Sequence, residues 1–119
     1  MSRHDDIVSL GHMVQYAREA LGMIEEKTRQ DIVADRMLQL ALARLLEIVG
    51  EAASRVSEPM RQKTPEVPWA KIRGMRNRLI HGYDHIDLDV LWDTITENLP
   101  PLVVSLERVL SEHNDGGNP

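Results

Sequence analysis

The sequence predicts an all-α protein: an antiparallel bundle of about five helices forming one domain over residues 1–113. Two observations carry this prediction. Aromatic residues make up only 3% of the chain and Phe is absent, so the core falls to Leu, Ile, Val, Met and Ala. Such residues suit packed helices better than a sheet. Apolar positions also recur in steps of three and four, with no strand-like alternation. With 119 residues, 42% of them apolar, the chain can bury one real core and is not a disordered protein.

Each element follows from its own signals. Over residues 5–27, Ile7, Leu10, Val14, Ala17, Leu21 and Ile24 form a helical stripe, and Asp5 and Asp6 lie where the helix dipole favours acids. Thr28-Arg29-Gln30-Asp31 reads as a capping box, with Asp in place of Glu or Gln, opening a second helix that runs to about Ser57. Its main stripe is Leu38, Ala41, Leu45, Ile48, Ala52 and Val56. Leu42, Leu46 and Val49 widen that stripe, so more than one face is buried. Gly50, Ala52 and Ala53 make a small-residue patch that admits another helix closely. Pro59, Pro65 and Pro68 punctuate a connector. Pro68 suits the first turn of a third helix, 68–81, with Trp69, Ile72, Met75 and Leu79 or Ile80 inward. Gly82 fits a left-handed stop just beyond it. Asp87 caps a fourth helix bearing Leu88, Leu91, Trp92 and Ile95. Pro100-Pro101 either kinks that helix or starts a fifth, with Leu102, Val103, Leu106, Val109 and Leu110 inward. Residues 114–119 read as a disordered polar tail.

Composition narrows the function classes. The chain has no Cys, which removes disulfides and thiolate metal sites and fits a reducing, cytoplasmic setting. No apolar run is long enough to span a bilayer, and Met1 to Asp6 is too polar for a signal peptide. A net charge of −5 argues against a generic nucleic-acid binder. Residues 61–80 are different. They hold Arg61, Lys63, Lys71, Arg73, Arg76 and Arg78 against the single acid Glu66, a local charge of +5 that leaves −10 elsewhere. A basic segment of this kind is either a solvated helix face or a local anion site.

The chemistry-bearing groups concentrate between Gly74 and His85. Arg76 offers a permanent charge and a planar fork of donors suited to phosphate oxygens. His81 can hold or release a proton near neutral pH. Tyr83 carries a hydroxyl on a rigid ring. Together they could cleave a phosphodiester without a metal. On an ideal helix, however, Arg76 and His81 point about 140° apart. They converge only if the helix ends near His81, or if each is completed across a dimer.

Residues Ile48-Val49-Gly50-Glu51-Ala52-Ala53, Pro68 through Tyr83, Asp87 through Trp92 and Leu99-Pro100-Pro101-Leu102 give the chain a family resemblance. It resembles the HepT-like proteins of the HEPN superfamily over nearly its whole length. The Arg-x4-His-x-Tyr signature of that superfamily falls on Arg76, His81 and Tyr83. The resemblance implies an all-helical homodimer that acts as a ribonuclease toxin, with the motifs in a cleft at the dimer interface. It implies a partner, a small nucleotidyltransferase antitoxin of the MntA type, which can transfer AMP to the motif tyrosine, here Tyr83. An AMP group there would compete with RNA for Arg76 by charge and bulk.

The expected function is therefore a metal-independent endoribonuclease toxin, needing no cofactor, that acts on RNA. His81 is the expected general base, Arg76 the phosphate brace and Tyr83 the group orienting the phosphate or a base. Asn77 stands one turn from His81 and could fix its ring. Lys71, Arg73 and Arg78 are either RNA-backbone contacts or surface charges. The alternative is a HEPN dimer without catalysis that only binds RNA or the nucleotidyltransferase. The motif alone is weakly specific: a His near a helix C-terminus is commonly a cation at the dipole's negative end. Glu51 is expected to pair with a basic residue of the third helix. Trp69 and Trp92 are expected in the core. His4, His12, His85 and His113 lack metal-ligand spacing, and His85 is close enough to Tyr83 for a minor role.

Overall fold

A computed structural model describes residues 3–117, with side chains described for residues 5–113. Three long helices frame it: α1 (Arg3–Met23), α3 (Arg36–Ser54) and α8 (Leu99–Gly117). Short helices fill the connections: α2 (Arg29–Val33), α4 (Glu58–Lys63), α5 (Trp69–Arg73), α6 (Met75–Leu79) and α7 (Leu88–Asp93). The structure is all-α apart from one two-residue strand pair, β1 (Ile80–His81) and β2 (His85–Ile86). No helix among the described residues is long and apolar enough to cross a membrane.

Helix α1 packs against both α3 and α8. Its start meets the end of α3: the buried Asp6 carboxylate accepts from the Ser57 backbone N–H at 2.8 Å and from the Ser57 hydroxyl at 2.6 Å. The two helices therefore run antiparallel. An Arg18–Glu107 pair ties the end of α1 to α8 in the same sense. The core lies along these seams. On α1 the centre line is Leu10, Met13, Ala17 and Ala20, while Ile7, Val14, Leu21 and Ile24 flank it half-buried. On α3 the centre is Leu42, Leu46 and Val49, the set that only widened the predicted stripe, together with Ala53 of the small-residue patch. Both shifts have one cause: a helix wedged between two neighbours buries the line between them.

The division into about five helices needs correction at four places. The second predicted helix breaks at Ala34. Asp35 then caps α3 through Leu38, and the buried Gln39 amide closes α2 by donating to the Ile32 and Val33 carbonyls. The proline connector contains α4, capped by Ser57 with Pro59 in its first turn. The third helix breaks at Gly74 and ends at Leu79, so His81 stands on a strand. The fourth and fifth helices are one run, joined by a π turn over Thr94–Asn98. Pro100 and Pro101 lack N–H donors and their rings press on the carbonyls one turn back. The wider π turn relieves that pressure, and the Leu99 N–H reaches Thr94.

Other expectations hold. The Thr28 capping box forms, with Asp31 accepting from the Thr28 N–H at 2.7 Å. Gly50 faces α5 closely, a Cβ there lying 3.5 Å from the Ile72 carbonyl. Trp69 is buried and its indole N–H donates to Thr64, whereas Trp92 packs half-buried against the core. The expected tail at 114–119 falls partly outside the described residues: α8 continues to Gly117, and residues 118 and 119 are not described.

Hydrogen bonding by Thr28 holds the Asp31 carboxyl below the usual carboxylate range. A depressed carboxyl stabilises the cap above its unfolded pKa and loses that contribution as pH falls through the folded value. The α2 cap should therefore loosen only in acid, below about pH 4, as amide exchange at Asp31 and Ile32 would read. Asp6→Ala removes a buried acceptor for two donors. It should destabilise the fold by roughly 2–3 kcal/mol in urea denaturation.

Candidate active site

The site is built by a short hairpin. Helix α6 stops because Ile80 is extended (φ −116°, ψ 121°) and pairs with Ile86, while His81 pairs with His85. Gly82-Tyr83-Asp84 closes the loop. Gly82 sits at φ +70°, a left-handed conformation that glycine adopts without strain. The predicted left-handed Gly82 is thus present, but it turns a hairpin rather than stopping a helix. Buried Leu79 and Ile86 anchor the hairpin below, and the Asp87 N–H donates to the Leu79 carbonyl at 2.8 Å.

All three motif side chains reach the surface of this corner. Arg76 is 69% exposed and its Nε lies 3.7 Å from Glu47 Oε2 on α3. Using Nε for Glu47 leaves both terminal nitrogens of the guanidinium open. His81 is 58% exposed, with Nε2 3.5 Å from Asp87 Oδ2 and its ring 6.0 Å from that of His85. Tyr83, at the loop tip, is 96% exposed. It lines a groove of about 230 Å³ with Arg36, Glu47 and Asp84, floored by Ile80 and Ile86. Glu47 thus connects Arg76 to the groove of Tyr83, whereas His81, beside Asp87, is not among the groove's lining residues. Among the described residues, no hydrogen bond or ion pair joins Arg76, His81 and Tyr83 to one another. The 140° separation of an ideal helix does not apply, because the helix ends two residues before His81.

The remaining candidates separate. Asn77 is exposed and makes no side-chain hydrogen bond among the described residues; Asp87, not Asn77, stands at the His81 ring. Lys71 and Arg78 point away from the groove. Lys71 Nζ donates to Asn98 at 3.2 Å and Arg78 donates to the Lys71 carbonyl at 2.9 Å. Arg73 is exposed. Glu51 pairs with Arg44 of its own helix at 3.3 Å, not with the third predicted helix. Glu47 makes that link instead and also faces Arg44 at 3.7 Å. Asp87 and Glu47 are the contributors that sequence reasoning missed. Asp87 reads fully as a helix cap, which hides the use of its second oxygen.

The match to the ribonuclease HepT-like family model spans residues 13–109, most of the chain and the whole hairpin corner. The chain belongs to the ribonuclease HepT-like family. Its relatives include a "Probable ribonuclease HepT" of Thermococcus cleftensis, 39% identical over 76% of this chain and 86% of that protein. Two proteins provisionally named RNases are also similar. One, from Caldanaerobacter subterraneus, is 33% identical over 87% of this chain and 92% of its own length. The other, from Methanocaldococcus jannaschii, is 32% identical over 92% of this chain and its full length. No solved structure matches the chain.

The HepT-like corner separates two roles of Asp87 experimentally. Oδ1 caps α7 by accepting from the Val90 N–H at 3.1 Å, while Oδ2 faces His81. Asn can still cap but carries no charge. Asp87→Asn should leave urea stability within about 0.5 kcal/mol of wild type, whereas Asp87→Ala should cost about 1 kcal/mol. Both should slow any reaction that uses His81, so equal rates for Asp87→Asn and wild type would remove Asp87 from the site.

Proposed function

We propose that this HepT-like protein is a metal-independent endoribonuclease, the toxin half of a toxin–antitoxin pair, acting in the cytoplasm as a homodimer. The observation that carries this reading is the hairpin corner, where Arg76, His81 and Tyr83 are all exposed, Arg76 beside Glu47 and His81 beside Asp87.

RNA supplies its own nucleophile, the 2′-hydroxyl beside the scissile phosphate. His81 removes that proton. The Asp87 carboxylate beside Nε2 favours a proton on that nitrogen, which leaves Nδ1 as the basic one. The 2′-oxygen attacks phosphorus, the bond to the 5′-oxygen breaks, and the proton passes from His81 to the leaving 5′-oxygen. The products are a 2′,3′-cyclic phosphate and a 5′-hydroxyl. Arg76 braces the non-bridging oxygens with the terminal nitrogens that Glu47 leaves open. Tyr83 orients the phosphate or a base. Arg73, and Asn77 beside Arg76, offer further contacts to the RNA strand.

The homodimer is supported by what lies beside the groove. Met37 is 82% exposed, Leu40 50% and Val33 47%, and Leu40 itself lines the Tyr83 groove. Met37 and Leu40, one turn apart on α3, share a helix face, and exposed apolar side chains on one face fit an interface. A second copy seated there would bring two sets of motif residues together. The partner in the pair is a MntA-like minimal nucleotidyltransferase antitoxin. The near-complete exposure of the Tyr83 side chain suits it as the acceptor of an AMP group. That group would set a negative phosphate against Arg76 and block RNA.

Total RNA incubated with wild type in EDTA should be cut, and His81→Ala should leave it intact. Arg76→Ala should lose about 10²–10³ in rate. If wild type and His81→Ala behave alike, the protein is a catalytically inactive module that binds RNA or the nucleotidyltransferase. Met37→Glu combined with Leu40→Glu should yield a monomer in sedimentation and abolish cleavage. Cleavage at full rate by that monomer would reject the shared groove.

A further inference from the structure

We propose that the chain carries a nucleotide subsite separate from the Tyr83 groove: the cavity between α5–α6 and the start of α8 takes the base of one unpaired nucleotide, with Lys71 and Arg78 meeting its phosphate. The proposal rests on the RNA-cutting reading and deepens it, because this subsite would set which nucleotide flanks the cut.

The cavity holds about 250 Å³ and its floor is apolar, formed by Val49, Ile72, Met75, Leu99 and Leu102. Such a floor accepts the face of a flat heteroaromatic ring, and the volume suits one ring system rather than a duplex. Asn98 and Ser105 stand on the wall. The Asn98 carbonyl oxygen takes the Lys71 ammonium at 3.2 Å. That fixes the amide and leaves its NH₂ group to donate to a ring edge. At the mouth, Arg78 folds back across the Gly74 break to the Lys71 carbonyl, 2.9 Å away. Lys71 and Arg78 thus both line the cavity, opposed only by Glu66 among the lining residues. Two cations on the wall of an apolar slot complement a phosphate joined to a base.

Two further features point the same way. The π turn over Thr94–Asn98 supplies Thr94 and Asn98 to the lining. Such turns recur at functional sites because they spread a helix and re-aim side chains. Arg76 and Arg78 also leave α6 about 200° apart, so they flank one narrow ridge. A single strand crossing that ridge would meet Arg76 and the reacting phosphate on one side, and this cavity on the other.

The test uses the full chain carrying His81→Ala, so that no turnover interferes. Isotope-labelled protein is titrated with the four nucleoside 5′-monophosphates and, separately, with a single-stranded RNA hexamer, and amide shifts are followed. Saturable shifts at Asn98, Leu99, Leu102 and Ser105 support the proposal. With the hexamer alone, they assign the cavity to a nucleotide within a strand. With mononucleotides alone, they assign it to a free nucleotide. Asn98→Ala and the cavity-filling Ser105→Trp should each weaken binding by about tenfold, whereas Gln62→Ala on the exposed face of α4 should not. Shifts confined to residues 76–87, or none at all, overturn the proposal. Cleavage is read separately: Asn98→Ala without the His81 change should lose nucleotide preference at the cut. Binding to the cavity by a chain that cuts nothing would sink the nuclease reading and leave the subsite standing.

Discussion

One carboxylate joins the fold to the chemistry. Asp87 ends the hairpin, and each of its polar groups has a separate task. Its N–H holds the Leu79 carbonyl at the end of α6, Oδ1 caps α7 at Val90, and Oδ2 faces His81. The strand pair, the start of α7 and the histidine therefore share one residue. Buried Leu79, Ile86 and Leu91 press that joint onto the core. In the proposed reaction, the residue that shapes the loop therefore also stands beside the base.

Glu47 does the corresponding work for Arg76. It projects from α3, the central helix, and its carboxylate sits between Arg44 and Arg76. The pairs are long and partly solvated, so their stability value is small. Their consequence is orientation, because a guanidinium tethered at Nε presents its two terminal nitrogens outward. The basic run of residues 61–80 is divided in this way among separate duties. Arg61 donates to the Val56 carbonyl just past the end of α3, Arg76 faces Glu47, and Lys71 and Arg78 line the cavity beside α8.

Much of the scaffold was legible because it follows periodicity. Leu102, Leu106 and Val109 on the last helix, and Trp69, Ile72 and Met75 on the third predicted one, are buried where their spacing put them. Legibility failed where tertiary packing selects among near-equal choices. Met13 and Ala20 lie one step from the predicted stripe of α1, and only the placement of two neighbouring helices decides between them. The break at Ala34 depends on Gln39 reaching back to two carbonyls, which no local signal announces. The motif residues themselves could be named from the sequence. Their supports could not, since the Glu47–Arg76 contact joins residues of two different helices, 29 apart in sequence, and the Asp87–His81 contact hides behind a helix cap.

The central claim is that the RNA's own 2′-hydroxyl attacks, with His81 taking its proton. Sequencing the ends of the fragments tests that claim most directly. Upstream fragments ending in 2′,3′-cyclic phosphate, with 5′-hydroxyls downstream, are the predicted result. Fragments bearing 5′-phosphates and free 3′-hydroxyls would mean that water attacked instead, and would contradict the account.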